Sequence, residues 1–308
     1  MLRLAVYDIM IITYRTDRMY NDTRTGSVSS GQRGNNMIDI IHADSLDMPE
    51  LEVFSKLREP QLYHYYEPAP GLFLAEGETV AERALDAGYE PVSVLADERG
   101  VGLRFDRLLS RMDGIPVYAA PYDVIKDLTG YSLTGGFLCA MRRRPLPPVE
   151  EVCGNAGRIA VLERITNPTN IGAIIRSAAA LNIDAVLVTE DSCDPLCRRA
   201  IRVSMGTVFQ VPWTRLMRSE PADGIRILKD MGFCTVAFAL TENARELGDP
   251  ALDFGGRAAL FFGAEGDGLS EETIASCDLS VRIPMRAGVD SLNVAAASAV
   301  AFWEFGKT

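Results

Sequence analysis

Strand and helix signals alternate along residues 158–308, and this alternation restricts the fold more than any other feature of the sequence. Apolar runs such as Arg158–Leu162 and Ala258–Phe262 are each followed by a polar, glycine-containing loop and then by a helical pattern. Such alternation predicts an α/β fold with a mostly parallel sheet and helices on both faces. Ligands of these sheets bind at the carboxyl ends of the strands, so the loops there are candidate sites. The further predicted strands are Ala185–Val188, Cys234–Ala239 and Leu279–Ile283, and the predicted helices are Gly172–Leu181, Pro195–Ser204, Pro221–Met231 and Val294–Phe305.

Residues 37–145 repeat the alternation more weakly and predict a smaller α/β domain. One helix is expected over Thr79–Ala87, with Thr79 and Glu82 as a capping box and Gly88 at its end. The other predicted elements are strands at Leu72–Ala75, Pro91–Ala96, Pro116–Ala119 and Gly136–Met141, and helices at Phe105–Met112 and Pro121–Gly130.

The remaining segments are expected to connect or precede these domains. Residues 146–157 are proline-rich at their start and predict a linker between the domains. Within residues 1–36, the part that follows the first fourteen residues is rich in Arg, Asn, Ser and Gly. This composition predicts a flexible leader. Met37 begins a stretch that is more typical of a domain start, so the leader is interpreted as an appendage or an upstream extension of the reading frame.

Composition excludes several classes of protein. The net charge of −11 argues against a protein coated in positive charge, although a local basic patch on an acidic body still allows RNA as a substrate. No run approaches eighteen apolar residues, and the stretch Ile9–Ile12 is too short for a signal peptide. We therefore expect a cytoplasmic protein with no membrane segment.

The cysteines and histidines predict neither a disulfide framework nor a metal site. The six cysteines are scattered, and the Cys193/Cys197 pair has no second pair that would complete four zinc ligands. Both histidines, His42 and His64, lie early in the chain. A site in the second domain therefore cannot use a Ser-His-Asp triad or a histidine-bound metal.

The first candidate loop is Asn167–Arg176, which follows the strand at residues 158–162. Asn170 is placed to cap a helix, and Gly172 allows a close backbone approach. Arg176 lies among isoleucines and alanines, where a charged side chain suggests a function. An ordinary helix cap followed by a surface arginine is the alternative interpretation.

The second candidate loop is Gly263–Leu269, which follows the strand at residues 258–262. Its three glycines allow backbone groups to approach a ligand, and Ser270 is placed to cap the helix that follows. The glycine spacing does not match a dinucleotide fingerprint, and no P-loop lysine is present. Glu265 and Asp267 would repel phosphate, so a cationic ligand, or a neutral one bound by backbone groups, is favoured.

The third candidate segment is Ile283–Phe305. A strand stops at Pro284, a polar loop carries Ser291 and Asn293, and an alanine-rich helix follows. Small side chains let a neighbouring segment pack at short range. Taken alone, the segment is better explained as a strand, loop and helix packed into a core.

Together, the three segments resemble the three motifs of the SpoU (TrmH-like) RNA 2′-O-ribose methyltransferases of the SPOUT superfamily. The matching residues are Asn170-x-Gly-x-x-x-Arg176, Gly263-x-Glu-Gly-x-Gly-Leu269 and Ile283-Pro-Met…Ser291-Leu-Asn293. The resemblance implies a deep trefoil knot, bound S-adenosylmethionine and a homodimer formed through the C-terminal domain. Residues 72–145 are more loosely similar to the ribosomal-protein-like substrate-binding domain of several family members.

The resemblance also implies roles for individual residues. Methyl donor binding falls to backbone groups at Leu240, Thr241, Gly263, Ile283 and Leu292. Activation of the ribose hydroxyl falls to Arg176, and Asn170, Glu265, Ser291 and Asn293 organise the site. Because arginine is normally protonated, Arg176 acts as a base only if its pKa is strongly depressed. The alternative is that Arg176 orients RNA and stabilises the developing alkoxide.

Two arginine clusters are candidates for RNA contact. Arg142, Arg143 and Arg144 precede the linker, and Arg198, Arg199 and Arg202 lie within a predicted helix. A solvated, charged surface is the alternative for both clusters.

The function that these features favour is methyl transfer from S-adenosylmethionine to a ribose 2′-hydroxyl of structured RNA, with rRNA preferred to tRNA. A knot-containing RNA-binding or assembly protein with little catalytic activity is the main alternative. An unrelated α/β nucleotide-binding enzyme is a further alternative, which the missing fingerprints disfavour.

Overall fold

A computed structural model of the chain describes residues 39–43, 48–55, 61, 71–129, 134–216, 221–250, 252, 256–289 and 291–307. The predicted leader, residues 1–36, lies outside the described residues, as do Met37 and His64.

Twelve strands and ten α-helices lie in the described part of the chain. The strands are β1 (Asp39–His42), β2 (Leu72–Glu76), β3 (Pro91–Asp97), β4 (Pro116–Ala120), β5 (Phe137–Arg142), β6 (Arg158–Leu162), β7 (Ala185–Thr189), β8 (Trp213–Leu216), β9 (Cys234–Phe238), β10 (Arg245–Glu246), β11 (Ala258–Phe262) and β12 (Leu279–Arg282). The helices are α1 (Glu52–Ser55), α2 (Glu78–Asp86), α3 (Asp106–Leu109), α4 (Tyr122–Thr129), α5 (Val149–Cys153), α6 (Pro168–Ala180), α7 (Arg198–Val203), α8 (Pro221–Asp230), α9 (Glu271–Ser276) and α10 (Val294–Phe305).

The second sheet has seven strands in the order β10-β12-β9-β11-β6-β7-β8. Every neighbouring pair in it is parallel, which confirms the predicted parallel sheet. Phe262 at the end of β11 lies beside Leu162 at the end of β6. The carboxyl ends of the central strands therefore meet at one edge, where the three candidate loops begin.

The first sheet has five strands in the order β1-β4-β3-β5-β2 and is mixed. Strand β4 is parallel to β1 and β3, whereas β5 is antiparallel to β3 and β2. The predicted alternation is confirmed for residues 72–142. Strand β1 was not predicted, and it adds residues 39–42 to the edge of this sheet.

Several predicted helix ends were wrong for local reasons. Helix α2 begins at Glu78 after Gly77, whose φ of 89° needs a glycine, and no side chain caps it, so the expected Thr79–Glu82 capping box does not form. Gly88, with φ of 78°, ends the helix as expected. The range predicted as a linker contains α5, and Cys153 of this helix is fully buried.

The two sheets share one hydrophobic core, because aromatic side chains join them. Phe73 of β2 contacts Tyr89 and Phe209, with ring centroids 5.1 and 5.4 Å apart respectively. Phe209 lies in the short 3₁₀ helix Thr207–Phe209, which follows α7 in the chain. Helix α7 therefore lies at the junction of the two sheets. No helix within the described ranges has the length and hydropathy of a membrane span.

Candidate active site

A cavity of about 570 Å³ opens at the carboxyl edge of the parallel sheet. Its walls come from the ends of β9, β11 and β12 and from the loops that follow them, chiefly residues 238–241, 262–269, 281–283 and 291–294. The five residues expected to bind a cofactor, Leu240, Thr241, Gly263, Ile283 and Leu292, all line it. The structure therefore brings these three distant segments to one place.

Gly263 is required by the way its loop folds. A Cβ atom at this position would lie 2.1 Å from the backbone carbon of Gly268 and 2.1 Å from the backbone nitrogen of Leu269. The loop returns over its own first residue, and Ala264 and Gly268 form an antiparallel bridge. Any side chain at position 263 would push this turn open.

A carboxylate at the cavity rim accepts hydrogen bonds from two side-chain amides. Oε1 of Glu265 accepts from Nδ2 of Asn170 at 2.5 Å and from Nδ2 of Asn293 at 2.6 Å. Nδ2 of Asn293 also lies 3.3 Å from Oδ1 of Asn170. The three residues come from the three candidate loops, so this cluster fastens the loops to one another.

The local sequence explains how the two amides are aimed. Asn293 is the N-cap of α10, and its Oδ1 accepts from the backbone nitrogens of Ala295 and Ala296, which leaves Nδ2 for Glu265. The expectation that Asn170 caps α6 was wrong: Asn167 is the cap and accepts from the backbone N–H of Thr169. Asn170 lies in the first turn, where its buried side chain turns toward the cavity rim.

The structure does not bring Arg176 or Ser291 into this cluster. Ser291 is exposed and lines the cavity. Arg176 lies on α6 with an exposed side chain, outside the cavity lining, and has no hydrogen-bonding partner among the described residues. Within one copy of the chain, this arginine faces solvent.

Gly172 allows a close backbone approach, but the neighbour is a helix. A Cβ atom there would lie 2.6 Å from the carbonyl oxygen of Ala200, so glycine lets α6 pack directly against α7. This contact fixes the basic helix beside the helix that carries Asn170.

The predicted RNA-contacting arginines differ in their surroundings. Arg143 is buried, forms an ion pair with Asp194 at 2.7 Å and donates to the carbonyl of Leu72. Arg198 and Arg202 face the buried carboxylate of Glu76 at 3.5 and 3.9 Å. An arginine after β5 thus pairs with an aspartate just before α7, and two arginines of α7 pair with a glutamate of β2. These ion pairs hold the two sheets together.

The other predicted arginines are more exposed. Arg142 lies 3.7 Å from Glu90, and Arg144 lies over the ring of Tyr89. Arg199 donates from Nε to Oγ1 of Thr169 at 2.9 Å, which places its guanidinium one residue from Asn170. Among the predicted RNA contacts, Arg199 is thus linked by a hydrogen bond to the turn of α6 that carries Asn170.

The cysteines are free thiols in the described residues. Burial raises the pKa of Cys153 to about 11 and that of Cys277 to about 12, so both thiols stay protonated at neutral pH. The sulfur atoms of Cys193 and Cys197 lie 3.6 Å apart. Among the residues the structure describes, no group of three or more His, Cys, Asp or Glu side chains could hold a metal ion.

Sequence reasoning missed two residues that support the second loop. Glu163 is fully buried at the end of β6 and accepts from the backbone N–H of Ser270 at 2.8 Å and from Oγ1 of Thr273 at 2.5 Å. Arg164 donates to the carbonyl of Gly268 at 3.1 Å. The signal that could have revealed them is a charged pair placed directly after a buried parallel strand.

Comparison with known proteins gives consistent matches. Residues 157–303 match the SpoU rRNA Methylase family. An uncharacterized tRNA/rRNA methyltransferase of Mycobacterium bovis is 37% identical over 85% of this chain and 93% of its own length. The 23S rRNA (guanosine-2′-O-)-methyltransferase RlmB of Acinetobacter baylyi is 31% identical over 62% of this chain and 78% of its own. The AdoMet-bound rRNA methyltransferase of Sinorhizobium meliloti superposes with a TM-score of 0.73 and 25% identity, over 86% of this chain and 97% of that one.

Proposed function

Because the chain belongs to the SpoU rRNA methylase family, we propose that it transfers a methyl group from S-adenosylmethionine to a ribose 2′-hydroxyl of ribosomal RNA. The observation that carries this proposal is the cavity lined by Glu265 and Asn293, which are hydrogen bonded to each other and, through Glu265, to Asn170 of α6. The rRNA assignment follows the relatives that are named as 23S rRNA ribose methyltransferases, of which one is RlmB of A. baylyi.

The side chains that line the cavity match the apolar ring and the positive charge of S-adenosylmethionine. Phe238, Phe262 and Met285 give it apolar walls that fit an adenine ring, while Glu265 and Asp267 offer negative charge for a cationic ligand. Backbone groups at Leu240 and Gly263 are close enough to the cavity to bind polar edges of the ligand. When bound, S-adenosylmethionine supplies an electrophilic methyl group on a sulfonium sulfur.

The protein's own task is to place the ribose hydroxyl against that methyl group. Positioning of two reactants within a closed site supplies a large part of the rate of such a displacement. Asn170 and Asn293 hold the Glu265 carboxylate in one orientation, and Glu265 in turn fixes the loop that forms the cavity wall. We assign these three residues to site organisation, together with Ser291 at the cavity surface.

We assign Arg176 to orienting the RNA and stabilising the alkoxide that develops when the ribose hydroxyl loses its proton. A guanidinium is normally protonated, so it is suited to stabilise negative charge and poorly suited to accept a proton. Arg176 faces solvent in one copy of the chain. This role therefore requires that bound RNA, or a second copy of the chain, contacts the Arg176 side chain.

The proposal includes a homodimer formed through the C-terminal domain. Helix α10 presents an exposed stripe that contains Val300 and Trp303, which are 43% and 62% exposed. A second copy would cover these side chains, and α6 with Arg176 packs against the same helix. Sedimentation of the intact chain tests this part: Trp303→Asp is expected to give monomers, and a wild-type chain that stays monomeric at micromolar concentration would contradict it.

Three finer features remain part of the proposal. We propose that the C-terminal chain, at residues 158–308, threads a trefoil knot and that residues 37–145 form the RNA substrate-binding domain, joined to it by residues 146–157. Support for the first comes from residues 281–283 and 291–294, which line one cavity together with the ends of β9 and β11. Arg199 and Arg202, which keep exposed surface beside α6, are the favoured RNA contacts.

The experiment that tests the function uses the full chain, labelled S-adenosylmethionine and unmodified rRNA. Calorimetry measures cofactor binding, and label incorporation followed by mapping of ribose methylation measures transfer. Binding with transfer to a ribose 2′-oxygen is expected. Binding of cofactor and RNA without transfer would overturn the proposal in favour of an RNA-binding or assembly protein, and absence of cofactor binding would overturn both.

A further inference from the structure

Arg164 adopts a backbone conformation that is unfavourable for its residue type. It is the second residue after β6 and has a φ of 55°. Among the described residues other than glycine, only Asn182 and Met205 share a positive φ. A side chain with a Cβ atom is strained in this left-handed region, where glycine is relaxed. An arginine in this conformation therefore raises the hypothesis that its side chain has a positioning role.

The side chain of Arg164 reaches the loop that forms one wall of the cavity. Its guanidinium donates to the carbonyl oxygen of Gly268 at 3.1 Å, and its Nε lies 3.8 Å from Oε1 of Glu163. The backbone N–H of Arg164 donates to Oγ1 of Thr189 at 3.1 Å, which anchors the residue to β7. Arg164 therefore connects the centre of the sheet to the far end of the 263–269 loop.

Glu163 holds the same end of the loop from beneath. Its buried carboxylate accepts from the backbone N–H of Ser270 and from the hydroxyl of Thr273, at the start of α9. Two consecutive residues thus bind the loop at Gly268 and at Ser270. The near end of the loop is fixed by β11, and Glu265 in its middle is held by Asn170 and Asn293.

A loop of this composition needs such support. It contains three glycines, Gly263, Gly266 and Gly268, and the last two have positive φ. Glycine has the largest conformational freedom of any residue, so an unsupported loop would lose much entropy when it closes on a ligand. Ordering the loop before the ligand arrives removes that cost from binding.

We propose that Arg164 is a positioning residue for the cofactor: it holds Gly268, and through it the 263–269 loop, in the conformation that binds S-adenosylmethionine. The inference rests on the proposed function, because it names the ligand of the cavity. Neither Arg164 nor Glu163 lines the cavity, so Arg164 acts through the loop and not by direct contact.

The test compares Arg164→Gly with wild type in the full chain. Glycine relaxes the backbone at this position while it removes the hydrogen bond to Gly268, so the two effects on stability oppose each other. We expect a melting temperature within about 3 °C of wild type and a Kd for S-adenosylmethionine that rises about five- to tenfold, as for the loss of one ordinary hydrogen bond. Hydrogen exchange without ligand should become faster at the amides of Gly268 and Ser270.

Two further variants separate positioning from a general effect of backbone strain. Asn182→Gly relaxes a similar left-handed residue at the end of α6, far from the loop, and should leave the Kd unchanged. Arg164→Lys keeps a cationic donor and should recover part of the affinity.

Each outcome decides the inference. An unchanged Kd and unchanged exchange in Arg164→Gly would overturn it, and so would a fall in melting temperature with normal affinity, which marks a purely structural role. Wild-type protein that fails to bind S-adenosylmethionine would overturn the proposed function itself, and the inference with it. Weaker binding in Arg164→Gly with intact binding in wild type and Asn182→Gly would support it.

Discussion

The amide nitrogen Nδ2 of Asn293 lies 2.6 Å from Oε1 of Glu265, although the two residues are 28 positions apart in the chain. The same oxygen also accepts from Asn170, which comes from a third segment. One carboxylate oxygen thus connects two segments that line the cavity, 262–269 and 291–294, to the first turn of α6. Substitutions of this carboxylate and of residues near the cavity test the site directly.

Replacing Glu265 by glutamine should reduce methyl transfer by about a hundredfold. The substitution makes the remaining oxygen a weaker acceptor and introduces an N–H₂ group, which cannot accept from the amides of Asn170 and Asn293. Label transfer to rRNA measures the loss, and Glu271→Gln, on the exposed face of α9, is the matched control with near wild-type activity. Equal activities of the two variants would remove Glu265 from the site.

Replacing Arg176 by alanine should abolish methyl transfer while S-adenosylmethionine still binds with wild-type affinity. The reason is that Arg176 lies outside the cavity lining and acts only on the RNA side of the reaction. Calorimetry and transfer assays measured on one preparation separate the two effects. Arg226→Ala removes an exposed arginine from α8 and should change neither. Full transfer activity in Arg176→Ala would refute the assignment.

Replacing Gly263 by alanine should destabilise the protein by about 1–3 kcal/mol and prevent cofactor binding. The added methyl group would meet the backbone of Gly268 and Leu269 at 2.1 Å, and a backbone neighbour cannot move aside as a side chain can. Urea denaturation and calorimetry measure the two effects. Gly157→Ala places its methyl group 3.6 Å from Asp184, an ordinary contact, and should bind cofactor normally.

Replacing Arg143 by alanine should cost about 3 kcal/mol of folding free energy, because it leaves the carboxylate of Asp194 without its buried partner. Arg142, its exposed neighbour, provides the control: Arg142→Ala should change stability by less than about 0.5 kcal/mol. Chemical denaturation of both variants gives the comparison. Similar stabilities would show that the ion pair between the sheets contributes little.

Asp278 should make stability depend on pH in the acid range. Burial acts to raise its pKa, but the Lys229 ammonium and the N–H and hydroxyl of Thr235 outweigh burial and hold the pKa below its ordinary value of 3.8. The carboxylate therefore stabilises the fold above that ordinary value, and its contribution is lost as pH falls through the lowered pKa. Urea denaturation at a series of pH values should show a smaller acid loss for Asp278→Asn than for wild type. Asp113→Asn, which removes one carboxylate from an exposed turn, is the matched control for the substitution itself.

The seven-stranded sheet was largely predictable because its central strands are apolar runs. Strands β6 and β11 begin and end where the sequence predicts, since they are buried on both faces. The missed strands β8 and β10 are four and two residues long, too short for a periodic signal. The resemblance in the three loops is confirmed by the family match and by relatives that span most of the chain.

The cavity was predictable from the motifs, whereas the surroundings of the arginines were not. Arg142, Arg143 and Arg144 are identical in type and adjacent in sequence, yet only Arg143 is buried. Its partner Asp194 is 51 positions away, and nothing local to the triplet reveals it. The same holds for Arg198, whose partner Glu76 lies at the end of a strand in the other sheet.

The cluster around Glu265 has a consequence for the synthesis of the chain. Asn170 and Asn293 are 123 positions apart, and the helix that Asn293 caps ends at Phe305. When only the loops at residues 167–176 and 263–269 have been synthesised, residues 291–294, which line the cavity, are still missing. We therefore expect a growing chain to bind S-adenosylmethionine only after α10 has left the exit tunnel of the ribosome.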